Sequence, residues 1–394
     1  MSYDFTTAVN RAQVGSLKWK RMKEKCSELP NGVIPFSVAD MDLKNPPEVV
    51  DAIKEFLDTY NLGYPAETEE YRRSVVGWMK KRHGWSVGTD TIVTTPGVVN
   101  ALWHCVRTFT EPGDGVLIFT PVYPPFYRVV RQNQREVIEC PLKDLGDHYE
   151  IDFEDLRRKA ADPRVKLMIF CNPHNPGGVV WEREVLEQVY DACRAFSFPI
   201  VSDEIHSDLI LPGHSHTVFA SLSEEAAART ITCTSPSKTF NLAGLQISNI
   251  LITNPELRKR FALTVDQCEE DMRGALSYVA CQAAYDQCEG WLDELLELVD
   301  RNRRILEAFL EDRLPEIRAY RMDGTYMAWL DCRALGLSGK ELEAAMEEEN
   351  LFFNQGYVFG KAAEGFVRIV LACPEENVRQ MLKRLENAVR KCRK

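Results

Sequence analysis

The chain has 394 residues, enough for a large core and two domains. Its net charge of −11 argues against nucleic-acid binding, which needs a basic face. No apolar run approaches the roughly 20 residues that span a bilayer, the opening Met-Ser-Tyr-Asp-Phe lacks a signal-peptide pattern, and the twelve cysteines include no Cys-x-x-Cys pair. The expectation is a cytoplasmic protein with reduced, mostly buried thiols and no metal site.

In chain order, a helix is expected over 18–28 and a strand over 33–38. Val38-Ala-Asp40-Met-Asp42 follows. This piece lies across the mouth of a site, or its aspartates simply form a turn, which is the commoner use of Asp in loops. Pro46-Pro47 opens a helix with Val49, Val50, Ile53, Phe56 and Leu57 on one face. It ends in a turn carrying Tyr64. A second amphipathic helix covers 69–83 and stops at Gly84. A strand over 91–95 runs into Thr95-Pro-Gly97-Val98-Val99-Asn100 and a helix to about 109. A glycine at such a turn lets backbone N–H groups face an anion, although a plain tight turn explains it too.

A strand over 116–119 leads to Pro121-Val-Tyr123-Pro124-Pro125. Its tyrosine is rigid enough to stack on a planar ring, or packs on its own prolines. The apolar run 166–171 reads as a buried parallel strand. It breaks at Asn172-Pro-His-Asn175-Pro176-Gly177-Gly178, before a helix over 183–196. The next strand, around 200–201, ends in Asp203-Glu204-Ile205-His206. An acid there is costly unless it meets a cation or a donor. A strand over 230–233 ends in Thr234-Ser235-Pro-Ser237-Lys238-Thr239-Phe240. Another strand covers 247–252. Lys238 in this company reads as a nucleophilic amine with nearby hydroxyls for a phosphate, or as a surface lysine in a polar turn.

Strands thus alternate with helices, so residues 48–285 are expected to form a large α/β domain around a mostly parallel sheet covered by helices. Loop after loop at a strand end carries a polar or aromatic group, and that edge is where open α/β sheets bind ligands. Beyond it, helices over 290–310, 339–348 and 375–391 and strands over 317–321, 326–331 and 366–371 indicate a smaller α+β domain, which residues 1–47 join.

Suppose Lys238 meets an aldehyde cofactor with a phosphate and a pyridine ring. The 97–99 turn and the serines at 235 and 237 then hold phosphate, Tyr123 stacks, Asp203 pairs with the ring nitrogen and Asn175 meets the phenolic oxygen. The glycine-rich dinucleotide fingerprint and the Gly-x-x-x-x-Gly-Lys-Ser/Thr loop are both absent.

With these motifs the chain resembles fold-type I pyridoxal-5′-phosphate enzymes of the aminotransferase superfamily, which have the aspartate aminotransferase-like fold. Asn-Pro-His-Asn-Pro-Gly-Gly, Ser-Asp-Glu-Ile-His-Ser-Asp-Leu and Ser-Pro-Ser-Lys-Thr-Phe-Asn-Leu-Ala-Gly-Leu-Gln are similar to the cystathionine β-lyase, or cysteine C–S lyase, branch. So are Val-Ala-Asp-Met-Asp, Thr-Pro-Val-Tyr-Pro-Pro-Phe and Gly-Phe-Val-Arg-Ile-Val. The resemblance implies pyridoxal 5′-phosphate as cofactor and Lys238 as the Schiff-base lysine. It implies cofactor contacts from Asp203, Asn175, Tyr123, Val98, Val99, Ser235, Ser237 and His206, and from Tyr64 across a homodimer with shared active sites. Arg368, with Asp40 and Asn175, is implied on the substrate side. His206 and Gln246 stand where many aminotransferases carry a tyrosine and a phosphate-binding arginine. That points away from an ordinary transaminase and towards α,β-elimination from cystathionine or cysteine-type substrates. An aminotransferase is the alternative, and a regulatory protein-binding role a weaker one.

Overall fold

The computed structural model describes residues 3–26, 28–30 and 33–393. Met1 and Ser2 of the opening pentapeptide, and Ser27 within the expected first helix, lie outside them. The strands are β1 (Ile92–Thr95), β2 (Gly115–Thr120), β3 (Glu136–Pro141), β4 (Lys143–Asp144), β5 (Tyr149–Glu150), β6 (Val165–Cys171), β7 (Ile200–Asp203), β8 (Thr230–Thr234), β9 (Ser248–Leu251), β10 (Arg318–Ala319), β11 (Met327–Asp331), β12 (Asn354–Gln355) and β13 (Phe366–Val370).

Seven of them form one sheet in the order β1-β9-β8-β7-β6-β2-β3. Only β9 runs against the rest, antiparallel to both β1 and β8. β2, β6, β7 and β8 are buried along almost their whole length. Strands covered on both faces read as continuous Val/Ile/Leu runs rather than alternating ones, and Leu-Met-Ile-Phe within 167–170 is such a run. The helix Val98–Phe109 buries Ala101, Leu102, Cys105 and Val106 against one face. The helix Arg183–Cys193 buries Leu186, Val189 and Cys193 against the other.

Register decides where the chemistry sits. Cys171 pairs with Asp203, and Asp203 with Cys233. Asn249 faces Thr234 on one side and Thr94 on the other, and Ser248 pairs with Thr95. The segments that follow β1, β6, β7 and β8 therefore leave the sheet at one edge.

The second sheet is antiparallel, in the order β10-β11-β13-β12, with Trp329 opposite Arg368 and Arg368 opposite Asn354. The helix Glu375–Cys392 packs on the long helix Glu289–Arg313. Residues 33–38 form no ladder, contrary to the strand expected there. Burial of Val33, Ile34 and Phe36 satisfies the apolar run instead. Two long-range bonds tie its backbone to the rest of the fold, from Phe36 N to Phe352 O (3.1 Å) and from Val370 N to Phe36 O (3.0 Å). Among the described residues no helix is long and apolar enough to cross a membrane, and no group of three or more His, Cys, Asp or Glu is placed to hold a metal ion.

Candidate active site

Lys238 stands on a single helical turn, Pro236–Thr239. Ser235 caps it: its Oγ accepts from Ser237 N at 3.1 Å and donates to Ile247 O at 2.7 Å. Proline at the first helical position suits the turn, because its missing N–H would have no partner there anyway. The side chain is half-buried by surface area, yet protein surrounds it on the inner side, so desolvation dominates its titration. Burial pulls the amine down to about 8, with Arg368 pushing the same way and Asp40 and Asp203 opposing. Its hydrogen bond runs to Ala39 O at 2.6 Å.

Asp203 ends β7 and is buried, with Ile205 N donating to its Oδ1 at 3.2 Å. Burial raises it to about 7, with Lys238 pulling weakly the other way. A carboxylate with no ion pair of its own invites a cationic N–H. His206, three residues on, is buried; desolvation first, then the charges of Lys238 and Arg368, keep it neutral. Its Nδ1 has no partner among the described residues.

Arg368 on β13 is buried and pushed down to about 10 by desolvation. Its Nη1 donates to Asn175 Oδ1 at 2.7 Å and its Nη2 to Asn354 Oδ1 at 2.8 Å. The guanidinium lies 4.8 Å from the centroid of Phe359. Its Nε is buried without a partner among the described residues. Such a group accepts a carboxylate at little further desolvation cost. Phe359 is carried by the turn Gly356–Phe359, and a side-chain carbon on Gly356 would lie 1.9 Å from Ala363 O.

Tyr123 is half-buried between Val122 and Pro124, and burial raises its hydroxyl. Gly97, at φ 127°, turns β1 into the helix whose first residues are Val98 and Val99. First-turn N–H groups have no intrahelical acceptor, so these two are left to donate to a group outside the helix. Thr95 Oγ1 and Ser248 Oγ, 2.7 Å apart, tie this turn to the strand beside the Ser235 cap. Gln246 is exposed.

The fold thus places Lys238, Asp203, Asn175, His206, Ser235, Ser237, Val98, Val99 and Tyr123 at one sheet edge, with Arg368 reaching over from the second sheet through its bond to Asn175. Two further expected residues have other surroundings. Asp40 spends its carboxylate on Arg11, through a fork of 2.8 and 2.9 Å, and on Lys18 at 3.1 Å, so the neighbouring Ala39 carbonyl, not the Asp40 carboxylate, meets Lys238. Tyr64 is 95% exposed, and the contact expected of it is with a second protomer. Three site residues were not foreseen as such. Tyr326 donates to Ala39 O at 2.9 Å, and Asn354 and Phe359 orient Arg368. Nothing beside them along the chain marks them as such.

An orphaned Arg368 Nε, an Asp203 carboxylate that accepts from the Ile205 N–H and forms no ion pair among the described residues, and a desolvated amine fit a carboxylate-bearing substrate, a ring nitrogen and an aldehyde. The sequence model of the family described as aminotransferase class I and II matches residues 31–385. The chain belongs to the class I and II aminotransferase family. Within that aminotransferase family it is 41% identical to cystathionine beta-lyase PatB of Bacillus subtilis, over 98% of this chain and 100% of that protein. Cystalysin from Treponema denticola, solved with pyridoxal 5′-phosphate, superposes with a TM-score of 0.98 at 45% identity, covering 99% of this chain and 100% of that one. The C–S lyase from Staphylococcus hominis superposes at 0.90 with 33% identity, covering 99% and 98%. The likeness extends at lower identity to LL-diaminopimelate aminotransferase of Halothermothrix orenii, 26% identical over 90% of this aminotransferase-family chain and 91% of that protein.

Proposed function

We propose that the chain is a pyridoxal-5′-phosphate-dependent carbon–sulfur β-lyase that cleaves cystathionine or cysteine-type amino acids to a thiol, pyruvate and ammonia. The observation that carries it is Lys238, an amine pulled down to about 8 whose hydrogen-bond partner among the described residues is a backbone carbonyl. The full-length likeness to the cystathionine beta-lyase PatB and to the C–S lyase from Staphylococcus hominis supports the lyase over the transaminase.

When bound, pyridoxal phosphate supplies an aldehyde for the amine and a ring that stores the electron pair left on the α-carbon. The chain does the rest. Ser235, Ser237 and the N–H groups of Val98 and Val99 hold phosphate. Tyr123 covers one ring face and Asn175 offers its amide N–H to the phenolic oxygen. Asp203 keeps a proton on the ring nitrogen. The Arg368 fork holds the substrate α-carboxylate, which sets the α-hydrogen towards Lys238. Near pH 8 that amine is neutral often enough to act as a base.

Residues 48–285 hold the cofactor in this reading, and residues 1–47 with 286–394 supply the carboxylate clamp. Tyr64 reaches the phosphate of a second protomer, which makes the working unit a homodimer. The free cysteines, nine of the twelve buried, suit a reducing cytoplasm.

The test is to give cystathionine or cysteine to the purified enzyme. Pyruvate formed with no added keto acid is expected. Turnover only with 2-oxoglutarate overturns the lyase in favour of an aminotransferase.

A further inference from the structure

Behind the lysine turn lies a second set of charged groups that the proposed chemistry does not use. Asp208 is buried, and both its oxygens are taken. Trp78 Nε1 donates to Oδ1 at 2.9 Å, His83 Nε2 lies 2.8 Å from the same oxygen, and Thr239 Oγ1 donates to Oδ2 at 2.7 Å. Thr239 is the residue after Lys238. Tyr285 stacks on Trp78 and closes the far side. The His83 ring meets His216 edge-on at 5.4 Å. His216 Nε2 is 2.8 Å from Glu204 Oε2, and Glu204 Oε1 accepts from Ser202 Oγ (2.8 Å) and Phe219 N (3.0 Å). Glu204 follows Asp203. One buried network therefore runs from the residue after Asp203 to the amine-bearing turn without touching Asp203 or Lys238.

We propose that Asp208, oriented by His83, is the positioning residue of Lys238, gripping the Thr239 hydroxyl and so fixing the rotation of the turn that presents the amine. A single turn cannot hold itself, because helix nucleation is unfavourable without outside contacts. Ser235 anchors its start and Thr239 its end. Burying a carboxylate costs several kcal/mol unless its hydrogen bonds are complete. Here three donors complete them, and one of those donors belongs to the turn.

The inference rests on Lys238 being the cofactor lysine, so the test is read on the cofactor-loaded enzyme. The pH midpoint of its visible absorption band reports the amine's surroundings independently of turnover. Thr239→Val removes only the hydroxyl. It is expected to move that midpoint by about half a unit and to lower kcat about tenfold, leaving KM within about twofold. Thr239→Ser should restore both. Asp208→Asn should act the same way, and the double variant with Thr239→Val should be no worse than Thr239→Val alone, as expected for one shared contact. If Thr239→Val does not fold, His83→Gln decides, with a smaller change in the same direction. A lower melting temperature with midpoint and kcat unchanged overturns the positioning role. A wild-type enzyme with no visible band would instead overturn the cofactor assignment.

Discussion

Two lysines meet neighbouring carbonyls of the same arm and have opposite fates. Lys18 is fully buried; its Nζ touches Asp40 O at 3.0 Å, Asp40 Oδ1 at 3.1 Å and Asp42 Oδ2 at 2.5 Å. Arg11 and Trp19 Nε1 also donate to Asp42 Oδ1, at 3.2 and 3.3 Å, so this cluster is closed. Among the described residues Lys238 hydrogen-bonds Ala39 O and pairs with no carboxylate. Position in the fold does not separate them; counter-charge does. A paired buried ammonium is structure, and breaking the pair strands a charge. An unpaired one gives up its proton and becomes available for chemistry.

The comparison breaks most visibly at Lys238→Ala. Activity should fall by about 10⁴-fold or more and the visible band should vanish, while urea denaturation shows the fold intact. Lys18→Met should do the reverse. It should lose about 3–5 kcal/mol of stability in urea denaturation, and at temperatures where it remains folded it should keep its visible band. If the two variants behave alike, pairing is not what divides the lysines.

Arg368→Lys sharpens the contrast between a fork and a point charge. KM should rise about 100-fold with a much smaller change in kcat, read from steady-state kinetics.

The most gradual effect concerns Asp203. Its pKa is raised from 3.8 to about 7 by burial, so between those values the folded state holds a proton that the unfolded state has lost. Cofactor-free protein should therefore lose stability, through this group, as pH rises from about 4 to about 7. The slope is about 1.4 kcal/mol per pH unit. Asp203→Asn removes the term, so its stability relative to wild type should climb across that window in paired urea titrations. No such climb would mean that Asp203 is already ionised in the folded protein.

Much of the edge was legible because each strand announces its own end. Apolar runs stop at Asn172, Asp203 and Thr234, and the groups just beyond them share the edge by register alone. The helix Glu69–His83 and its stop at Gly84, in the left-handed region at φ 66°, follow from periodicity and one glycine. What stayed hidden depends on contacts between distant segments. Asn354 and Phe359 act only through the guanidinium they flank, and nothing in their neighbours along the chain says so. Asp40 was expected on the substrate side; that Arg11 and Lys18 hold its carboxylate could not be read, because a pairing 29 or 22 residues away leaves no local mark. The helix Ala275–Gln287 is buried on most sides, so it lacks the polar stripe that betrays an amphipathic helix.

The turn that carries Phe359 tolerates no side chain at its first position. With Ala363 O at 1.9 Å and Phe366 O at 2.7 Å from where a methyl carbon would stand, even alanine has to displace two backbone segments. Those segments lead directly into the arginine's strand. Codon 356 is thus frozen for reasons of space, whereas codon 358, whose valine is 42% exposed, is free to drift. A randomised library of this loop selected for thiol release should return glycine at the first and almost anything at the second.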